Sequence, residues 1–67
     1  MFFLSQDGTQ LVESSRLYVL DNDIFAVVPG SDDIRLAHYD IYGDAQEALR
    51  SVYAAIEDSE AVFSFGG

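Results

Sequence analysis

The stretch RLYVLDNDIFAVVPGSDDIRLAHY, residues 16–39, alternates three apolar runs with two polar breaks. Residues 16–20 and 24–28 are rich in β-branched and aromatic side chains, which suit a pleated, half-buried surface. Asp21-Asn22-Asp23 between them is a compact turn, because Asn and Asp tolerate left-handed backbone and bond their own main chain. Pro29-Gly30-Ser31-Asp32-Asp33 makes the next break, and Ile34 to Tyr39 the strand after it. Three strands joined by short turns form an antiparallel meander.

Working outward, residues 2–5 (Phe-Phe-Leu-Ser) are short and β-prone, and residues 10–13 are a returning arm. Asp7-Gly8 between them is a hairpin signal, since glycine accepts the positive φ of a tight turn. Ser14-Ser15 interrupts as a bend or bulge. Toward the other end, Asp44 is a good helix N-cap and Glu47 completes a variant capping box. Ala45, Ala48, Leu49, Val52, Tyr53 and Ile56 then recur at helical spacing and share one stripe, predicting a helix over residues 44–58. Glu47 and Arg50 pair on its solvated face. Residues 60–65 read as a closing strand, with Gly66-Gly67 a loose end.

The expected fold class is α+β: a small antiparallel β-meander with one amphipathic helix packed on one face, in the order β-β-β-β-α-β. Residues 1–67 form a single domain without linker or repeat. A chain this short buries only about 60% of its unfolded surface. It has no cysteine to staple it, so oligomerisation is the remaining source of burial.

Parity along the strands points the same way. Leu17 and Val19 face one side, Tyr18 and Leu20 the other; Ile24, Ala26 and Val28 oppose Phe25 and Val27. A sheet with one solvated face alternates apolar with polar, and this one does not. One helix covers one face. The face left uncovered is the expected interface, with a second copy or another protein as its cover; parity leaves open which face that is, and Tyr18, Leu20, Phe25 and Val27 are the candidate interface residues.

Twelve acids oppose three arginines, Arg16, Arg35 and Arg50, giving a formal net charge of −9. There is little positive charge to offer phosphates, which argues against nucleic-acid binding in spite of the aromatic content. The 49% apolar fraction argues against a disordered acidic tail and against a salt-adapted surface. The same charge keeps an apolar-rich domain dispersed. It also allows an alternative function, an acidic inhibitor that imitates nucleic acid on a basic host protein. Eight of the acids (Asp7, Asp21, Asp23, Asp32, Asp33, Asp44, Glu57 and Asp58) fall in turns or at helix ends, where they have ordinary structural roles.

No catalytic constellation is visible, and no enzymatic activity, cofactor or metal is expected. His38 is the only neutral-pH acid/base group, Asp40 is its nearest acid in sequence, and no Ser or Thr has an elbow motif. His38 reads as a polar residue at a strand edge. Asp21-Asn22-Asp23 resembles half a calcium loop, but Ile24-Phe25-Ala26 follow where a further ligand and a glycine are required. The apolar opening ends after four residues, short of the roughly 7–15 of a signal peptide or about 20 of a membrane span, so a cytoplasmic location is expected.

Phe3-Leu4-Ser5-Gln6-Asp7-Gly8, with Leu11-Val12 after it, resembles the start of a family of short proteins from Gram-positive bacteria and their phages and mobile elements. In that family an SQDG-type opening leads into two or three strands, a Leu-x-x-Tyr segment and a helix of the form A-x-x-x-L-x-x-I. Leu36 and Tyr39 match the segment; Ala45, Leu49 and Val52 match the helix, with Val for Ile. The relatives are rich in lysine, which is absent here. The resemblance implies a fold and a phage-like context. It implies no chemistry, and no catalytic residue carries over.

Overall fold

The computed structural model describes residues 1–66. Strands β1 (Phe2–Leu4), β2 (Leu11–Glu13), β3 (Leu17–Leu20), β4 (Asp23–Ala26) and β5 (Ile34–His38) precede helix α1 (Tyr42–Glu57), and β6 (Val62–Ser64) closes the chain. The α+β class is as expected: strands, then one helix, then a closing strand, with five strands ahead of the helix where the order β-β-β-β-α-β counts four. Each of the five segments read as β-prone ahead of the helix forms a strand.

The strands divide into two three-stranded sheets rather than one, in the orders β2-β1-β6 and β3-β4-β5. The second is the antiparallel meander. In the first, β6 lies parallel to β1, with Phe3 opposite Phe63. A core of Phe3, Val12, Ile24, Ala26, Leu36, Ala37, Val52 and Phe65 joins both sheets and the helix. α1 packs on β3 and β4.

Local chemistry explains the joints. At the β1–β2 turn Gly8 has φ of +75°. The Ser5 hydroxyl donates to the Asp7 carboxylate at 2.7 Å and accepts from the Gln10 N–H at 3.0 Å. Gln6 reaches the other sheet: its N–H donates to the Leu36 carbonyl at 2.8 Å, and its side-chain oxygen accepts from the His38 N–H at 3.0 Å. Gly66 is not loose, because a Cβ there would stand 2.8 Å from the Gln6 carbonyl oxygen. Gly67 lies outside the described residues. The Ser5-Gln6-Asp7-Gly8 opening is thus a structural clasp. Buried Ser14 is a second one: its hydroxyl lies 2.7 Å from the Val27 carbonyl and accepts from the Arg16 N–H.

Two boundaries differ from expectation. The β3–β4 turn is two residues, so Asp23 belongs to β4 and faces Leu20. The helix begins at Tyr42, with Ile41 at the N-cap and no side-chain cap bond, so Asp44 sits in the first turn instead of capping it. There it still favours the positive end of the helix dipole. The helix ends in a Schellman turn, with the Glu60 N–H on the Ala55 carbonyl and the Ser59 N–H on that of Ile56. Ser59 takes the left-handed conformation, φ 59°, where glycine is usual. Ser59→Gly is expected to stabilise the chain by about 0.5–1 kcal/mol, because it removes a Cβ from that conformation. A thermal melt checks this; an unchanged or lower Tm contradicts it.

Candidate interaction surface

β3 and β4 place Tyr18 directly opposite Phe25 on the sheet face turned away from the helix. Their rings stack at 5.5 Å between centroids and 17° between planes. The Tyr18 hydroxyl donates to the Asp33 carboxylate, which raises the tyrosine pKa because the bond holds its proton. Leu20 at the end of β3 is 55% exposed. Val27 lies just past β4, half-buried, with its N–H on the Arg16 carbonyl. All four candidate interface residues therefore belong to one pair of neighbouring segments.

This face is not apolar throughout. Across β4, Phe25 pairs with Arg35 and Asp23 with His38. The Asp23 carboxylate stands 2.5 Å from His38 Nδ1 and 3.7 Å from the Arg35 guanidinium. The β5 half of the face thus carries a polar cluster, half-buried Asp23 with exposed His38 and Arg35, beside the aromatic pair. His38 is indeed an exposed strand-edge residue, but its acid is Asp23 and not Asp40. By sequence Asp23 reads as a turn residue. The two-residue hairpin count places it opposite Leu20, and a bulge at Leu36 then brings His38 beside it.

A shallow polar cavity of about 420 Å³ adjoins this cluster, lined by Ser5, Gln6, Asp7, Gln10, Arg35 and His38 among others. Ser5 donates its hydroxyl proton to Asp7 and accepts from the Gln10 N–H, so its proton is not free for an imidazole. The hydrogen bonds from Ser5 and then Thr9 lower the Asp7 pKa to about 2. Its contribution to the turn is present above the usual carboxylate range and is lost as pH falls through about 2. Among the described residues no group of three or more His, Asp or Glu is placed to hold a metal ion.

A second surface was hidden from the sequence. Tyr53 and Ile56, expected on the buried helix stripe, are 65% and 56% exposed. The buried stripe is narrower: Ala45 and Val52 are buried, and Ala48, Leu49 and Ala55 are half-buried beside them. These mostly small side chains seat the helix close to β3 and β4, and Tyr53 falls about 100° round from Val52. With Leu49, Tyr53 lines two adjoining depressions between the helix and β3. One, about 500 Å³, includes Met1, Leu17 and Ile56; the other, about 330 Å³, includes Val19 and Tyr42.

No family model, curated protein or solved structure matches the chain. Among the described residues no helix is long and apolar enough to cross a membrane.

Proposed function

We propose that this chain is a non-enzymatic interaction module that associates with a second copy of itself. The observation that carries the reading is the apolar surface the fold leaves uncovered around β3. On the helix side of the sheet Tyr42, Tyr53 and Ile56 are each more than half exposed; on the opposite side Leu20 is, near the half-buried stack of Tyr18 and Phe25. Exposed apolar surface of this kind marks association sites. The SQDG-type opening supports an accessory role in a phage or mobile element, and the absence of cysteine agrees with a cytoplasmic setting.

The acidic-inhibitor alternative needs a concentrated track of charge. Seven of the twelve acids are instead spread over five of the six connections between elements, from Asp7 to Glu60, and the other five lie in β2, β4 and α1. Salt separates the two readings. Two chains of net charge −9 repel one another, so raising ionic strength from about 0.05 to 0.5 M should hold or tighten an apolar dimer by screening that repulsion. Light scattering at both salts checks this. Dissociation at the higher salt would contradict apolar self-association and favour an electrostatic partner.

A further inference from the structure

We infer that two copies join along the free edges of β3, in an antiparallel register centred on Tyr18, to make one six-stranded sheet. This rests on the self-association reading and names its surface. Strand β3 pairs with β4 on one side and, among the described residues, with no strand on the other. The opposite edge of the same sheet is different, because Gln6 bonds both the Leu36 carbonyl and the His38 N–H of β5. The sequence of β3, Leu-Tyr-Val-Leu, contains no charge and no proline, the usual guards of an exposed edge.

The ladder decides which groups are free. Leu20 and Asp23 flank a two-residue turn, and the Val27 N–H donates to the Arg16 carbonyl. Antiparallel pairs alternate, so Arg16, Tyr18 and Leu20 turn their backbones toward β4. Leu17 and Val19 turn theirs outward. Setting Leu17 of one copy opposite Val19 of the other pairs both outward N–H groups and both outward carbonyls on each chain. Tyr18 then meets Tyr18 across the two-fold axis, which extends the Tyr18–Phe25 stack. The depressions between β3 and the helix come together on the other side of the sheet.

Charge favours a second copy over a foreign strand. Of the six connections, only the one between β2 and β3 carries no acid, and it carries Arg16. Arg16 is exposed and makes no ion pair among the described residues, whereas Arg35 and Arg50 each have a carboxylate. Asp21 stands at the other end of the strand. Antiparallel pairing brings the Arg16 end of one copy to the Asp21 end of the other, twice. The strand therefore carries its own electrostatic complement on a chain that is otherwise repulsive.

The chain has no cysteine, so Tyr18→Cys introduces a single thiol. Residues facing each other at a non-hydrogen-bonded position have Cα atoms about 4.5 Å apart, inside the range a disulfide spans. Under mild air oxidation at micromolar concentration, Tyr18→Cys should become a covalent dimer at least ten times faster than Leu11→Cys on the exposed β2 edge. In the unaltered chain, amide exchange at Leu17 and Val19 should slow as concentration rises. If light scattering shows a dimer but neither effect is seen, the β3 register is overturned and self-association stands. A monomer with neither effect overturns both.

Discussion

Ile24→Ala is expected to unfold much of the protein at ordinary temperature. Ile24 has 0% exposure and is the largest fully buried side chain. It sits in the central strand of the meander beneath the helix, with Val19 opposite on one side and Ala37 on the other. Truncating a buried isoleucine to alanine costs about 2–5 kcal/mol, as lost transfer energy plus the cavity left behind. A chain of 67 residues has only about 3–10 kcal/mol to lose, at roughly 0.05–0.15 kcal/mol per residue. Ala26 and Ala37 beside it are small and buried, and they do not fill the space themselves. The Tm should fall by at least about 10 °C, given about 4–8 °C per kcal/mol for a domain of this size. A fall of less than about 3 °C would mean that Ile24 is not the centre of the core.

Tyr18→Asp and Phe25→Asp are each expected to abolish self-association while leaving the helix formed. Both side chains lie on the sheet face away from α1, half-buried, and stack on each other. An aspartate at either position adds charge to a surface that already holds Asp33 and Asp23. Across a two-fold axis each new charge is also duplicated, and burying an unpaired carboxylate is costly. The dimer constant should weaken by more than a hundredfold, read by light scattering over a concentration series. Far-UV circular dichroism should remain close to that of the unaltered chain. Leu20→Asp, at a more exposed position, is the milder companion and should weaken association in the same direction. Unchanged association in the Tyr18 and Phe25 variants would remove those residues from the interface.

Local signals in the sequence carried most of the fold. Apolar runs broken by Asp-Gly, Asp-Asn-Asp and Pro-Gly located the strands, and three- and four-residue spacing located the helix. Pairing between distant segments was not legible. Nothing in Val62–Ser64 says that it lies parallel to Phe2–Leu4, because that partnership is made by the shared core of Phe3, Phe63 and Phe65. The bulge at Leu36 was equally silent. It explains why Leu36 and Ala37, adjacent in sequence, are both buried. At the helix start, Asp44 offered a cap, but the helix begins two residues earlier, behind an extended and exposed Ile41.

The candidate surface was legible in part. Strand parity grouped Tyr18 with Leu20 and Phe25 with Val27, and the packing of the helix on β3 and β4 shows that theirs is the face away from it. Parity did not reveal the Asp23–His38–Arg35 cluster, which depends on strand register. The flank formed by Leu49, Tyr53 and Ile56 was missed because all three obey helical spacing. The alanines at 45, 48 and 55 were the available clue. Small side chains mark the line where a helix sits closest to a sheet, and larger ones beside that line are left at the rim.

Sedimentation equilibrium of the unaltered chain at micromolar concentration tests self-association most directly. A mass twice the chain's 7.4 kDa, retained or increased in high salt, is the predicted result. A mass of 7.4 kDa at every concentration would contradict it.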